Sequence, residues 1–151
     1  MERSDNRETE LLGHEVRTGQ TTVCNERLQL FLEALGLSGW DPSGPVPVTF
    51  VPRCFRDWVD VTRDVRPGPV LDGFGLEKGV NAGITISAKL PVFVGDRLHL
   101  TEKVAEVREK EGASGALIFV TVRQTIRREK EDIGIVQEND MLTVYRRGAE
   151  K

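Results

Sequence analysis

Apolar positions along this chain change their spacing once, from a helical period to an extended one. Residues 28–35 and residues 51–58 each carry apolar side chains at the i, i+3, i+4 spacing of one helical face. From residue 84 to residue 145, apolar and polar residues alternate in four runs separated by turn signals, which is typical of strands. Helices followed by an antiparallel sheet predict an α+β fold, with the sheet free to wrap around a helix.

The first predicted helix begins near Asn25, whose amide side chain suits an N-cap, and ends at Gly36. We interpret residues 11–23, which precede it, as a leading segment with a turn at Gly13. The prolines and glycine of residues 40–47 predict a loop between the two helices.

The second predicted helix is the most apolar of the chain. Pro52 is acceptable in its first turn, because the N–H that proline lacks has no partner there in any case. One face carries Val51, Cys54, Phe55 and Trp58. Such a stripe requires burial, so we expect this helix to lie at the centre of the fold.

Four strands are predicted after it, in residues 84–90, 98–107, 117–126 and 133–145. Short turn signals join the last three, which predicts a meander. Glu102 and Lys103 interrupt the alternation of their strand, and a bulge is expected there. Asn139 and Asp140 predict a second bulge or a kink.

Length and composition favour one soluble globular domain over residues 11–147, with a disordered tail at 1–10 and a frayed end at 148–151. A net charge of −3 argues against a nucleic-acid partner. No apolar run approaches the roughly 20 residues of a membrane span, and the amino terminus carries no signal-peptide core, so we expect a cytoplasmic protein without a membrane partner. Cys24 and Cys54 are predicted to be free thiols, and no Cys/His spacing indicates a metal site.

Three segments carry a family resemblance. Val46–Phe50 resembles the proline-threonine-phenylalanine motif before the central helix of MaoC-like dehydratase N-terminal domains, and Leu90–Leu98 resembles that family's proline and Gly-Asp corner. Asn25–Gly36 is similar to its first helix. The resemblance implies a hot-dog fold, an antiparallel sheet wrapped around a central helix. It also implies enoyl-CoA hydratase or 3-hydroxyacyl dehydratase chemistry, a lyase activity of fatty acid metabolism.

Catalytic members of that family use an Asp and a His five residues apart, which activate one water and move one proton. A backbone N–H at a helix N-terminus holds the thioester oxygen as it gains charge. Here the spacing pairs Asp41 with Val46, or Leu37 with Pro42, and neither pair offers a base. The resemblance therefore implies a non-catalytic half that forms part of a substrate pocket.

The remaining polar candidates for catalysis are weak. Asp41 is the nearest acid, Asn81 stands where family members often carry a His, and His99 alternates away from the apolar face of its strand. Phe50, Phe55 and Trp58 are most simply core residues. Alternatively they line an acyl tunnel, with Asn81 as a further substrate-binding residue.

The resemblance implies a homodimer, or a heterodimer with a catalytic hot-dog subunit that supplies Asp and His. The substrate would be a thioester of coenzyme A or acyl carrier protein, and no cofactor or metal is expected. Two alternatives stay open. One is a self-sufficient homodimeric hydratase or thioesterase that uses Asp41, Asn81 or His99. The other is a catalytically silent acyl-thioester-binding protein.

Overall fold

The structure is a computed structural model, and it describes residues 10–37, 39–58, 76–129 and 134–147. In chain order the elements are β1 (Glu15–Thr22), α1 (Asn25–Ala34), a 3₁₀ helix (Val51–Trp58), β2 (Leu76–Ala88), β3 (Arg97–Gly112), β4 (Gly115–Arg128) and β5 (Ile135–Arg147). The α+β class predicted from the sequence is confirmed. The predicted tail lies outside these residues except for Glu10, and so does the predicted frayed end at 148–151.

The strands form one antiparallel sheet in the order β1-β3-β4-β5-β2. The meander expected from the last three strands is confirmed, with β1 added beside β3 and β2 added beside β5. Each strand of the meander alternates between an inner face, which carries the core, and an outer face.

The leading segment contains a strand, β1, that the sequence did not predict. Residues 15–22 pair with β3 over almost their whole length. Their sequence is nearly all polar because β1 is an edge strand whose side chains are only partly buried. Alternation of apolar residues, the signal used to find strands, is therefore missing from it. For a related reason β2 begins at Leu76, earlier than predicted, in a glycine-containing stretch that lacks clear alternation.

Helix α1 follows the prediction at its end but not at its start. Asn25 is the first helical residue and Cys24 is the N-cap, without a side-chain hydrogen bond. The Asn25 amide instead accepts a hydrogen bond from Gln29 Nε2 at 3.3 Å, within the helix. At the other end Gly36 has φ 67°, and the bond from its N–H to Glu33 closes the helix as a Schellman motif.

The second helix is present at the predicted residues, but as a 3₁₀ helix. Pro52 offers no N–H, so the first turn closes with Arg53 and Cys54 N–H both donating to the Phe50 carbonyl, at 2.9 and 3.2 Å. Phe55 is buried as predicted. The side chain of Trp58 lies outside the described residues.

Two separate apolar clusters form the core. The first joins both helices and the loop between them to one half of the inner sheet face, through Val23, Leu28, Leu32, Val46, Phe50, Val51, Cys54, Phe55, Val92, Leu98, Leu100, Ile126 and Val136. The second lies under the other half and consists of Leu11, Val104, Ile118, Val120, Val122 and Tyr145. The 3₁₀ helix is thus buried against the sheet, as the apolar stripe predicts.

The ladder between β1 and β3 shifts between Glu15 and Arg17, whose partners are Lys103 and Glu102, so an irregularity lies at the first predicted bulge site. The ladder between β3 and β4 shifts between Val104 and Glu106, just beyond the predicted site at residues 102–103. Asn139 and Asp140 lie in an unbroken ladder with β4, so the second bulge is not found there. The sequence misleads at this point because a polar pair in a strand indicates a break only when no buried polar partner lies beside it.

Replacing Phe55 with Ala should lower the free energy of unfolding by about 3–5 kcal/mol, because the ring is 1% exposed and its removal leaves a cavity between helix and sheet. Urea denaturation measures the change. Leu30→Ala, at a position that is 65% exposed on α1, is the control and should change stability by less than about 0.5 kcal/mol. Equal effects of the two substitutions would show that the helix does not pack on the sheet.

Cys54 should be unreactive in the folded protein. Burial raises the pKa of its thiol to about 12, and Sγ contacts the Phe50 carbonyl at 3.6 Å. At pH 8 about one thiol in 10⁴ is then ionised, and the thiolate is the reactive form. In a Cys24→Ser variant we expect no alkylation by iodoacetamide at pH 8 until urea unfolds the chain. Rapid alkylation under native conditions would contradict this placement.

Candidate functional site

Five polar side chains cross the inner face of the sheet in a line that we call the polar row. Direct cross-strand partners contribute four of them, one from each of β1, β3, β4 and β5, and a fifth follows on β5. The polar row consists of Arg17, Glu102, Gln124, Asn139 and Gln137.

A continuous chain of hydrogen bonds joins the polar row. Arg17 Nη2 and Gln124 Nε2 both donate to Glu102 Oε1 at 2.6 Å. Asn139 Nδ2 donates to Gln124 Oε1 at 3.2 Å. Gln137 Nε2 donates both to Asn139 Oδ1 and to the carbonyl of Val48, each at 3.0 Å. The chain therefore runs from β1 to the loop that precedes the 3₁₀ helix.

The polar row separates the two apolar clusters. Glu102 stands between Leu100 of the first cluster and Val104 of the second, and Gln124 stands in the same way between Ile126 and Val122. All four row residues of β3, β4 and β5 are at most 5% exposed. Burying a carboxylate is unfavourable unless it is paired and hydrogen-bonded, and the row provides both.

The sequence reasoning missed this row, although a signal for it exists. Glu102, Gln124 and Asn139 all occupy positions that alternation assigns to the apolar face. A polar residue at an apolar-face position of one strand indicates an interruption of that strand. Polar residues at such positions on three neighbouring strands indicate a hydrogen-bond network. The signal emerges only when the strand register is known, because the register brings the three positions opposite one another.

Asp41 is part of a turn in the loop after α1. Its Oδ1 accepts hydrogen bonds from the Ser43 hydroxyl at 2.7 Å and from the Ser43 N–H at 2.9 Å. These bonds, the side-chain bond first, lower the pKa of the Asp41 carboxyl. A lower pKa makes this group a weaker general base.

The residue five positions after Asp41 is in the core. Val46 is 6% exposed within the first apolar cluster, and its N–H donates to the Val92 carbonyl at 2.7 Å. In one of the two spacings that the family resemblance allows, the position of the imidazole therefore holds a buried valine.

His99 points away from the inner face, as predicted, between the buried Leu98 and Leu100. It borders a cleft of about 230 Å³ together with Gln20, Thr21, Thr22, Arg97 and Leu98. Its Nε2 lies 3.9 Å from Glu129 Oε1, and the other oxygen of that carboxylate pairs with Arg97 at 3.1 Å. The cleft is thus polar and charge-paired on the outside of the sheet.

Asn81 lies on β2, an exposed edge strand, where its Oδ1 accepts the Gly83 N–H at 3.3 Å. Two strands separate β2 from β3, which puts Asn81 about 14 Å or more from His99. The structure therefore does not bring these two candidates together.

Two of the three predicted aromatic substrate-binding residues are in the interior. Phe50 and Phe55 belong to the first apolar cluster, and the Phe50 ring lies 5.3 Å from that of Phe31. Their assignment to a substrate stays a prediction, as does that of Asn81. Trp58 falls outside the described side chains.

The corner after β2 has the structural role expected of its Gly-Asp pair. Gly95 adopts φ 93°, and the Asp96 carboxylate accepts the Phe93 N–H at 2.9 Å. Arg128 approaches the same carboxylate at 3.3 Å and donates to the Pro91 carbonyl. Asp96 therefore holds the turn in place.

The described ranges contain neither a membrane-spanning helix nor a cluster of metal ligands. None of their helices has the length and hydrophobicity needed to cross a bilayer. Nor do three or more of their His, Cys, Asp and Glu side chains come together as a set of metal ligands.

Solved structures resemble this fold over nearly its whole length. The ChsH1-ChsH2 complex from Mycobacterium tuberculosis contains a chain that superposes with a TM-score of 0.73 at 14% identity, covering 97% of this chain and 92% of that one. The HadBC 3R-hydroxyacyl-ACP dehydratase complex from the same organism gives 0.58 at 18% identity, covering 88% and 99%. R-hydratase PhaJ1 from Pseudomonas aeruginosa gives 0.56 at 16%, covering 91% and 83%. At these identities the likeness establishes the predicted hot-dog fold.

The comparison with families is more specific. No curated protein sequence matches the chain. The family described as "FAS1-like, dehydratase domain region" matches residues 10–133, which include β1, both helices, and strands β2 to β4. The resemblance to MaoC-like dehydratases noted in the sequence is thereby confirmed. With its hot-dog fold, this chain belongs to the FAS1-like dehydratase domain family.

Proposed function

We propose that this chain is the non-catalytic half of a hot-dog enoyl-thioester hydratase or 3-hydroxyacyl dehydratase. In this proposal it forms part of the acyl pocket, and a second hot-dog subunit supplies the Asp and His that activate water. The substrate is a thioester of coenzyme A or acyl carrier protein.

The buried Val46 is the observation that carries this proposal. Proton transfer to and from the substrate needs a titratable side chain that reaches the pocket. Val46 has neither a titratable group nor access, and the carboxylate five residues before it is engaged with Ser43. Asn81 and His99 are too far apart to replace the missing pair.

Two of the similar solved structures are complexes of two different chains by name, ChsH1-ChsH2 and HadBC. HadBC is described as a 3R-hydroxyacyl-ACP dehydratase. These relatives support a heteromeric arrangement for this chain, in which one member carries the catalytic residues.

The edge strand β2 is the surface at which we expect the partner. It ends the sheet on one side, and Ile84 on it is 52% exposed and Val80 66%. An exposed edge with apolar side chains favours pairing with another strand. The opposite edge, β1, is almost entirely polar and fits solvent.

The purified chain alone should hydrate crotonyl-CoA about 10²–10⁴-fold more slowly than a complete hot-dog hydratase. General acid/base catalysis contributes a rate factor of this size. A matched pair of assays tests this: the chain alone, and the chain mixed with a hot-dog subunit that has an intact Asp/His pair. Activity should appear only in the mixture.

Variants separate the alternatives. If the chain alone is active and Asp41→Asn, Asn81→Ala or His99→Ala abolishes that activity, it is a self-sufficient hydratase or thioesterase. Binding of an acyl-CoA with no turnover, alone or mixed, would instead make it a silent acyl-thioester-binding protein.

The chain should be at least a dimer at micromolar concentration, and Ile84→Lys should shift it towards the monomer, because a charge at this edge opposes strand pairing. Light scattering with size-exclusion chromatography measures the mass. Thr18→Lys, at an exposed position of the other edge strand, is the control and should leave the mass unchanged. A wild-type protein that is strictly monomeric would exclude a homodimer through this edge.

A further inference from the structure

We propose that Glu102 is a positioning residue. In this proposal it sets the direction of every hydrogen bond in the polar row, and through the row it fixes the backbone of the loop before the 3₁₀ helix. That loop, residues 46–50, is called the pre-helix loop below. The inference goes beyond the proposed function, and its test requires no enzymatic activity.

The charged end of the row sets its direction. A carboxylate can only accept hydrogen bonds, whereas an amide side chain can either donate or accept, depending on how its group is turned. Glu102 is nine-tenths buried and lies 2.6 Å from Gln124, so the Gln124 amide must present its NH₂ group there. The opposite rotamer would place two oxygens 2.6 Å apart.

The orientation of the Gln124 amide determines the orientation of the next two amides in the row. With its nitrogen turned to Glu102, Gln124 presents its oxygen to β5, and Asn139 must donate to it. Asn139 then presents its own oxygen to Gln137, which must donate in turn. Each amide has one oxygen and one nitrogen, so fixing the first fixes the second and the third.

The last amide of the row, Gln137, hydrogen-bonds to the main chain of the pre-helix loop. Gln137 has its NH₂ group turned towards the pre-helix loop, where its second hydrogen reaches the Val48 carbonyl at 3.0 Å. Reversing the row would place the Gln137 oxygen against that carbonyl, and two acceptors at this distance repel. The Glu102 carboxylate is thus connected to the Val48 carbonyl through three side-chain hydrogen bonds and a fourth bond to the main chain.

Among the described residues, the other hydrogen bonds of the pre-helix loop run to Val92, within the loop, or to the 3₁₀ helix. The Val46 N–H bonds to the Val92 carbonyl, and the Phe50 N–H bonds back to Pro47 within the loop. Val48 itself is 43% exposed, between the buried Val46 and Phe50. The bond from Gln137 to the Val48 carbonyl therefore links the exposed middle of the loop to strand β5.

Arg17 secures the other end. Its guanidinium donates to the same Glu102 oxygen as Gln124 does, at 2.6 Å, and it can only donate. An Arg and an amide nitrogen on one oxygen leave no arrangement in which position 102 donates to Gln124. The ion pair thus gives the buried carboxylate a partner and keeps the row in one direction.

The substitution Glu102→Gln tests this with almost no change in shape. The glutamine amide can present its oxygen to both Arg17 and Gln124, or it can turn its NH₂ group towards Gln124, so position 102 no longer forces one direction on the row. In ¹H–¹⁵N spectra we expect the side-chain NH₂ signals of Gln124, Asn139 and Gln137 all to shift or split. We also expect amide hydrogen exchange in the pre-helix loop to accelerate by up to about tenfold, the change that loss of one ordinary hydrogen bond allows.

Asp140→Asn is the matched control. It also converts a carboxylate into an amide and removes an ion pair, the bond from Arg123 Nε at 2.8 Å. It lies on the outer face, next in sequence to Asn139 but outside the row. It should leave the Gln137 signals and the exchange of the pre-helix loop unchanged.

The exchanged pair Glu102→Gln with Gln124→Glu provides the rescue. A carboxylate at position 124 again forces Asn139 to donate, while the amide introduced at position 102 accepts from Arg17 and donates to position 124. The Gln137 signals and the loop exchange should return to the wild-type values.

Three results would overturn the proposal. The first is a Glu102→Gln spectrum in which only the Gln124 signals move, because each amide would then be oriented independently. The second is a double variant that folds but fails to restore Gln137. The third applies if Glu102→Gln does not fold: the double variant then decides, and its failure to fold as well would show that the position of the charge matters rather than the direction of the row.

Discussion

One buried carboxylate constrains the interior of this protein. Glu102 lies on the inner face of strand β3, where an unpaired charge would be strongly destabilising. Its position requires a cation on one side and a hydrogen-bond donor on the other, and β1 and β4 supply them in direct register. Every polar group that follows in the line needs a partner of its own. The polar row therefore extends until a main-chain carbonyl ends it.

That line decides how the core is divided. If apolar side chains packed across the polar row, they would separate its amides from their hydrogen-bond partners. The two apolar clusters therefore pack on either side of the row. The first cluster includes both helices and the loop between them, whereas the second is built mainly from strands. The first cluster contains the buried Val46, and packing and hydrogen bonds order it.

The sequence predicted the parts of the fold that depend on one segment at a time. The apolar stripe at 51–58, the meander and the helix end at Gly36 are all local patterns, and the structure contains each of them. What escaped prediction depends on neighbours. The strand β1 is defined by its pairing with β3, since its own residues are polar. Likewise Glu102 and Asn139 resemble interruptions until the register places both beside Gln124. The candidate site was the hardest part to predict, because side chains on different strands make it.

The irregular half of β2 limits what can join this sheet. Its ladder with β5 shifts between Glu77 and Val80 and again between Asn81 and Gly83. The first shift surrounds Gly79, where an added Cβ would lie 2.5 Å from the Tyr145 ring, so no other residue fits without displacing that ring. Bulges twist an edge away from flat pairing. The regular edge runs from residue 83 to residue 88, roughly 20 Å at the rise of a strand. A strand from any partner can thus align with about six residues, and a longer one must bend or leave the sheet.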